Sequence, residues 1–176
     1  AVGFGNIDIK AAKEKGITVT NTPDVLTDAT ADIQILLLLG ASRKAYEGRL
    51  AAETQSWKWS WDFLLGKQMS NKKLGILGMG RIGRAVAKRA KAFNMEIHYH
   101  NRSKLSPELE DGAIYHKDLE SLFKQSEFLS INCPATPETT KLVNKKTLSY
   151  LEDNTVVGNA ARGDIVDDDA MVEALK

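Results

Sequence analysis

The feature of the sequence that most constrains its fold is residues 73–93, where a short apolar run, a glycine-rich turn and a helical pattern follow one another. The glycines, Gly78, Gly80 and Gly83, have G-x-G-x-x-G spacing. A strand, a tight turn and a helix in this order form the context that a dinucleotide-binding fingerprint needs. The stretch therefore predicts a βα unit whose turn binds a dinucleotide. The alternative is an ordinary βα turn in which glycine supplies a positive φ.

Each glycine of this turn has its own expected role. Gly78 allows the tight turn after the strand, Gly80 leaves room for a pyrophosphate, and Gly83 lets the helix pack closely on the strand. The free N–H groups and partial positive charge at the start of the helix favour phosphate. The residues predicted to bind the cofactor here are Gly78, Met79, Gly80, Arg81, Ile82 and Gly83.

Composition is that of an ordinary globular domain. The chain has 176 residues, a formal net charge of +1 and 43% hydrophobic residues, so neither nucleic acid nor a membrane surface is an expected partner. The longest apolar run, residues 35–39, is far shorter than the roughly 20 residues of a membrane-spanning helix. The single cysteine, Cys133, leaves no intramolecular disulfide and favours a cytoplasmic location. No metal site is predicted.

Strand and helix patterns alternate along the chain, which predicts an α/β fold with a Rossmann-type, doubly wound parallel sheet. A short helix is expected from Asp8 to Gly16, followed by a strand at residues 17–20. The strands predicted for the main sheet are residues 74–77, 96–100, 114–115, 128–132 and 155–159.

Residues 24 to about 52 have a mainly helical pattern. Apolar side chains occupy every side of the first half, so this helix is expected to be buried nearly all round. Four aromatic residues follow closely, and they either pack over their own domain or contact a partner subunit. These are Trp57, Trp59, Trp61 and Phe63.

The residues after the second predicted strand bear on which nicotinamide cofactor is used. An acid that hydrogen-bonds the ribose of NAD is expected about 20 residues after the glycines, but residues 100–104 contain no carboxylate. Asn101 stands in its place, Arg102 can grip a phosphate, and Ser103 can donate a hydroxyl. The window therefore predicts NADP as the preferred cofactor, with NAD also possible. The alternative is that Arg102 and Lys104 form a solvated loop face and either cofactor is used.

Five motifs, in order along essentially the whole chain, resemble the D-isomer-specific 2-hydroxyacid dehydrogenases, and most of all their glyoxylate/hydroxypyruvate reductase branch. They are VGFGNID at 2–8, VTNTPDVLTDATAD at 19–32, LGILGMGRIGRAVAKRAKAF at 74–93, NCPATPET at 132–139 and NAARGDIVDDDAMVEAL at 159–175. The resemblance implies NAD(P)H-dependent reduction of a small 2-oxo acid, glyoxylate or hydroxypyruvate, to the D-2-hydroxy acid. A phosphoglycerate or D-lactate type of dehydrogenase and a nucleotide-sensing, corepressor-like binding protein on the same fold stay open as alternatives.

The resemblance also implies a domain organisation. Residues 1–23 would end the N-terminal segment of a flavodoxin-like substrate domain, and residues 24–176 would form the dinucleotide-binding domain, truncated at its C-terminal end. In relatives the helix and the tryptophan-rich segment form the dimer contact, so a homodimer through residues 33–63 is expected.

The same resemblance implies residue roles. Arg162, in the A-A-R-G motif, matches the catalytic arginine that holds the 2-oxo acid, and its alternative is a structural ion pair with Asp164 or Asp167. Val2 and Gly3 match the turn that binds the substrate carboxylate. The other positions implied to line the cofactor cleft are Thr30, Cys133, Pro134, Thr139, Ala160 and Ala161.

The proton donor of the family is a histidine oriented by a glutamate, and both are expected downstream of residue 176. The chain as given is therefore expected to bind a nucleotide without turning over substrate. The three histidines present precede Arg162 and do not match that role. His98 and His100 are expected to be strand residues, and His116 is expected at the surface.

Overall fold

A computed structural model describes residues 2–176, in which five parallel strands form one sheet. The strand order is β3-β2-β1-β4-β5, which confirms the predicted α/β, Rossmann-type architecture. Each predicted strand of the main sheet is present, with ends that differ by at most one residue. The strands are β1 (Lys73–Leu77), β2 (Glu96–His100), β3 (Ile114–Tyr115), β4 (Phe128–Ile131) and β5 (Val156–Asn159).

Eight α-helices and one 3-10 turn connect and flank the strands within residues 2–176. The helices are α1 (Ile9–Glu14), α2 (Thr27–Ser42), α3 (Ala45–Thr54), α4 (Arg81–Lys91), α5 (Pro107–Glu110), α6 (Leu119–Gln125), α7 (Lys145–Leu148) and α8 (Asp168–Ala174), and the 3-10 turn is Gly163–Ile165.

The N-terminal part of the chain agrees with the sequence pattern in one element and differs in the next. Asp8 caps α1 by accepting a hydrogen bond from Ala11 N at 2.9 Å, and Gly16 follows the helix with a φ of +66°. The strand predicted at residues 17–20 is wrong, because this segment pairs with neither edge of the sheet and Ile17 is exposed.

The core consists of two apolar layers, one on each face of the sheet, because side chains alternate along every strand. Ile76 belongs to the layer covered by α2 and α4, whereas Leu77 belongs to the layer covered by α6 and α7. A helical layer on both faces is what a buried parallel sheet requires.

Helix α2 is buried on one side only, so the expectation of burial all round is wrong. Leu38 is fully buried against the sheet, while Ile33, Leu36 and Leu37 are 50%, 61% and 41% exposed. These three residues recur at helical spacing and form one uncovered apolar face. The helix also lies very close to β5, because a β-carbon on Gly158 would be 2.7 Å from Gln34 Nε2.

Within residues 2–176, no helix combines the length and apolarity that crossing a membrane requires.

Candidate functional site

The candidate site lies at the carboxyl ends of β1 and β4, where the strand order reverses. β1 pairs with β2 on one side and with β4 on the other, and open α/β sheets form a ligand-binding crevice at such a point. Gly78 follows β1 with a φ of +97°, and a β-carbon there would lie 2.5 Å from Cys133 N. The turn can therefore reach the end of β4 only with glycine at this position.

The other two glycines differ in the space around them, since Gly83 is tightly packed and Gly80 is open. A β-carbon on Gly83 would lie 2.3 Å from Gly78 O, so only glycine allows α4 to begin this close to the turn. A β-carbon on Gly80 would meet no atom within 4 Å, so open space lies above the turn. Gly80 is also the N-cap of α4 and supplies no side-chain cap, which leaves the first N–H groups of the helix to an anion. These residues fit the pyrophosphate of a dinucleotide.

Asn101 ties the glycine turn to the end of β2. Met79 N–H donates to Asn101 Oδ1 at 2.7 Å, and Gly78 N–H donates to His100 O at 3.0 Å. Because a backbone donor holds the carboxamide oxygen, Nδ2 stays a donor, and no acceptor within residues 2–176 contacts it. Arg102 follows on the exposed side of this strand end.

Ion pairs join α4 to α2 and to Asp24, which precedes α2, and the pair between Arg81 and Asp24 is exposed. Arg81 Nε lies 2.7 Å from Asp24 Oδ1, and Arg89 lies within 3.0 Å of Asp28 and of Asp32. Such exposed pairs are weak, so a phosphate can displace Asp24 from Arg81. Thr30 is half-buried in the helix that these contacts hold against α4.

The loop after β4 is held by its own side chains. Thr139 Oγ1 accepts from Thr136 N–H at 2.7 Å and donates to Pro134 O at 2.7 Å, so this hydroxyl shapes the loop. Burial raises the pKa of the Cys133 thiol to about 11, and the thiol is therefore protonated at neutral pH. This agrees with a packing role for Cys133.

The structure brings the predicted substrate residues together. A β-carbon on Gly3 would lie 2.8 Å from Arg162 Nη2, so the guanidinium lies directly beside the Val2–Gly3 segment. Arg162 Nη1 donates to Ala161 O at 2.9 Å. Within residues 2–176, Arg162 forms no ion pair with Asp164 or Asp167, and Asp167 pairs with Lys141 at 3.4 Å. The alternative of a structural arginine is therefore not supported.

Comparison with known proteins identifies the family. The family model described as the NAD-binding domain of D-isomer-specific 2-hydroxyacid dehydrogenases matches residues 35–176. The chain belongs to this family. Its matched region contains the glycine turn and Arg162, while the Val2–Gly3 segment precedes it.

Individual relatives of this dehydrogenase-family chain are similar over its whole length. It is 45% identical over 179 residues to a glycerate dehydrogenase of Hyphomicrobium methylovorum, covering 100% of this chain and 56% of that protein. It is also 45% identical over 183 residues to a glyoxylate reductase of Thermococcus litoralis, covering 100% and 55%. The crystal structure of a glyoxylate reductase from Paecilomyes thermophila superimposes with a TM-score of 0.89 at 45% identity, covering 98% of this chain and 52% of that one. The chain thus spans about half the length of these relatives.

Two asparagines that end neighbouring strands of the dehydrogenase domain were missed as site residues. Asn159 ends β5 and bonds to the backbone around Arg162, and Asn132 follows β4 with a buried Oδ1 that has no partner within residues 2–176. The signal available in the sequence was that each asparagine is the first residue of one of the five motifs and directly precedes a predicted cleft loop.

The expectation that His116 lies at the surface is wrong. His116 is 8% exposed, because its ring fits between β2 and α6 and hydrogen-bonds there. Its Nε2 lies 2.8 Å from His98 Nδ1, and His98 Nε2 lies 2.6 Å from Glu96 Oε1. An ionised Glu96 can only accept, so His98 donates from Nε2 and accepts at Nδ1. His116 therefore donates from Nε2 to His98 Nδ1, and Ser121 donates to His116 Nδ1.

The burial of His116 is expected to make the stability of the domain depend on pH. Burial, followed by the nearby His98, lowers the pKa of His116, although Asp118 opposes the shift. The unfolded chain, with an ordinary histidine pKa of about 6.5, therefore takes up the proton more readily than the folded one. We expect the free energy of unfolding to fall as the pH drops below about 6.5.

Denaturant titrations at pH 7.5 and pH 5.0 measure this effect. His116→Gln removes the titrating group, so the variant should lose less stability between the two pH values than the unchanged protein. An equal loss in both proteins would show that His116 does not cause the pH dependence.

Proposed function

We propose that the chain is the cofactor-binding part of an NAD(P)H-dependent enzyme that reduces glyoxylate or hydroxypyruvate to the D-2-hydroxy acid. The observation that supports this most is that the Arg162 guanidinium lies directly beside the Val2–Gly3 segment. Arg162 follows β5 and the glycine turn follows β1, so both lie at the carboxyl ends of the strands. A cationic fork beside backbone N–H groups suits a small carboxylate. The relatives named glyoxylate reductase and glycerate dehydrogenase support the same substrates.

In this proposal the bound nicotinamide supplies a hydride to C2 of the substrate. Arg162 holds the carboxylate and the carbonyl oxygen, which polarises the carbonyl and stabilises the negative charge that develops on that oxygen. Val2 and Gly3 orient the carboxylate from the other side. His98 lies on β2, three strand spacings or about 14 Å from β5, which supports a proton donor outside this chain's histidines.

We further propose that NADP is preferred and that NAD is also used. Met79 N–H fixes the carboxamide of Asn101 so that its remaining group, Nδ2, is a donor. Arg102 and Ser103 add donors at the same strand end, and no carboxylate is present in residues 100–104. Donors suit a 2′-phosphate, whereas a carboxylate suits the 2′-hydroxyl of NAD.

Asn101→Asp tests this preference without disturbing the turn. The variant keeps an acceptor for Met79 N–H and replaces the Nδ2 donor with a carboxylate oxygen, so the ratio of kcat/KM for NADPH to that for NADH should fall about 10-fold to 100-fold. Asn71→Asp adds the same charge before β1, at the amino ends of the strands and away from Asn101, and should leave the ratio unchanged. An unchanged ratio in Asn101→Asp would remove Asn101 from the selection of cofactor.

The proposed domain division assigns residues 1–23 to a substrate domain and residues 24–176 to the dinucleotide-binding domain, in a protein of the cytoplasm. The family model supports the second part from residue 35 onward. The contact of Gly3 with Arg162 is consistent with a substrate site between the two parts.

We also propose that the protein is a homodimer through residues 33–63. The uncovered face of α2 continues onto exposed apolar residues of α3 and of the tryptophan segment, including Trp59 at 82% and Trp61 at 83% exposure. Trp57 stacks on Phe63 with ring centroids 5.5 Å apart, so part of the aromatic cluster packs on itself. Apolar side chains that cluster in an exposed surface in this way are typical of a contact with another protein.

Leu36→Glu tests the dimer. A charge in the centre of an apolar interface is expected to convert the dimer into a monomer, measured by light scattering during gel filtration. Leu109→Glu places the same change at an apolar residue of α5 with 44% exposure and should leave the mass unchanged. A monomeric unchanged protein would reject this interface.

Steady-state assays of the full-length protein test the proposed activity, with reduction of glyoxylate, hydroxypyruvate and pyruvate by NADPH and NADH, and oxidation of 3-phosphoglycerate by NADP+ and NAD+. We expect turnover of glyoxylate or hydroxypyruvate to exceed that of pyruvate. Faster reduction of pyruvate would favour the D-lactate type, and oxidation of 3-phosphoglycerate would favour the phosphoglycerate type. Tight binding of the nucleotide with no turnover of any of these acids would favour the nucleotide-sensing protein.

A further inference from the structure

The side chain of Asn159 closes a small ring over the loop that carries Arg162. Its Oδ1 accepts from Ala161 N–H at 2.9 Å, and its Nδ2 donates to Arg162 O at 2.9 Å. One carboxamide therefore holds the backbone on both sides of the Ala161–Arg162 peptide bond. This uses one acceptor and one donor, which only asparagine supplies at this side-chain length.

The two ends of the loop are anchored in different ways. On the far side, Ile165 is fully buried, and Val166 forms a parallel bridge with Val143. On the near side, Asn159 is the last residue of β5, in register with Ile131 of β4. The carboxamide of Asn159 thus connects the backbone around Arg162 to the end of β5.

The direction of the Arg162 side chain depends on this anchor. Arg162 has an extended backbone, with φ −140° and ψ 144°, and its Nη1 returns to Ala161 O at 2.9 Å. Ala161 is therefore held through its N–H by Asn159 and accepts from Arg162 through its carbonyl. Asn159 thus holds the peptide group before Ala161 and the Arg162 side chain returns to the peptide group after it, so a rotation of either group would move the guanidinium from its place beside Gly3.

We propose that Asn159 is a positioning residue, which sets the guanidinium of Arg162 against the Val2–Gly3 segment and thereby fixes the 2-oxo acid. This inference rests on the proposed reductase function for its kinetic consequence, but the positioning itself concerns only this chain's own residues. Small displacements of a group that orients the substrate have large effects on rate, because the reacting atoms must meet at a defined distance and angle.

A double-mutant cycle in the full-length protein tests the proposal. Asn159→Ala is expected to lower kcat/KM for the 2-oxo acid about 10-fold to 100-fold, with the dissociation constant of NADPH changed less than about 2-fold. In an Arg162→Ala background the same substitution should have almost no further effect, because Asn159 acts through Arg162. An equal loss in both backgrounds, or a loss of NADPH affinity, would contradict the proposal.

Two further variants separate positioning from general loss of stability. Asn159→Asp keeps the acceptor for Ala161 N–H and lacks the donor to Arg162 O, so its kcat/KM should lie between those of the unchanged protein and Asn159→Ala. Asp118→Ala removes a side-chain acceptor from Ser121 N at 2.8 Å, at the start of α6 next to β3, the edge strand farthest from β5, and should leave kcat/KM unchanged. A rate loss in Asp118→Ala equal to that in Asn159→Ala would show that both reflect stability alone.

A spectroscopic measurement keeps the proposal testable if the reductase function fails. In a protein with isotopically labelled arginine, the Nε–H signal of Arg162, assigned by its absence in Arg162→Ala, should shift and broaden in Asn159→Ala and stay in place in Asp118→Ala. No change in this signal would overturn the positioning role, whatever the assays show. Absence of turnover together with this shift would reject the reductase and keep the positioning role.

Discussion

Replacing Arg162 with alanine is expected to lower kcat/KM for the 2-oxo acid at least about 10³-fold in the full-length protein. The guanidinium is the cationic fork beside the Val2–Gly3 segment, and its loss removes both the hold on the carboxylate and the stabilisation of the developing oxyanion. The dissociation constant of NADPH, measured by fluorescence titration, should change little, because the glycine turn lies on β1 and Arg162 follows β5.

Two control variants sharpen this expectation. Arg162→Lys keeps the positive charge without the planar fork and should restore only part of the lost rate. Arg49→Ala removes an exposed arginine of α3 whose ion pair with Glu53 is local to that helix, and it should leave the rate unchanged. A collapse of NADPH affinity in Arg162→Ala, with kcat preserved, would assign this arginine to the cofactor and not to the substrate.

Alanine at Gly83 and alanine at Gly80 should have opposite consequences. In Gly83→Ala the new β-carbon would lie 2.3 Å from Gly78 O, so α4 must shift and the free energy of unfolding should fall by about 2–4 kcal/mol. In Gly80→Ala the β-carbon meets no atom within 4 Å, so stability should stay nearly unchanged. It would occupy the space proposed for the pyrophosphate, and NADPH binding should weaken about 10-fold to 100-fold.

Denaturant unfolding and NADPH titration of the two variants measure these effects side by side. Gly80→Ala, the variant with the intact fold, is expected to be the one that loses affinity for NADPH. Unchanged NADPH affinity in Gly80→Ala would mean that the cofactor does not approach this turn. Unchanged stability in Gly83→Ala would mean that α4 does not pack on the turn as closely as described.

The fold could be predicted from the sequence because its dominant signals are local. A buried parallel strand is a short apolar run between turn residues, and the glycine turn fixes how β1 passes into α4. The strand at residues 17–20 failed for the same reason, since an alternating pattern says nothing about whether a neighbouring strand exists to pair with it.

Burial was harder to predict, because it depends on what packs against a helix or a ring. The apolar pattern of α2 is the same whether its outer face meets its own domain or another molecule, and in this chain that face is uncovered. His116 looked like a surface residue because its partners, His98 and Ser121, come from a different strand and helix.

Some features of the candidate site could be predicted from sequence motifs, and others depend on contacts between distant residues. The glycine turn and Arg162 were visible as motifs, whereas the contact between Arg162 and Gly3 joins residues far apart in the sequence. Asn159 begins the motif at 159–175, but the motif assigns it no role, and its two hydrogen bonds to the Arg162 loop become visible only in the structure.

The transfer of deuterium from cofactor to substrate tests the central claim most directly. The full-length protein is incubated with hydroxypyruvate and NADPH that carries two deuterium atoms at C4 of the nicotinamide, and the product is analysed by mass spectrometry and chiral chromatography. We expect D-glycerate with one deuterium at C2. Glycerate without deuterium, or no reduction of either hydroxypyruvate or glyoxylate, would contradict the proposed hydride transfer.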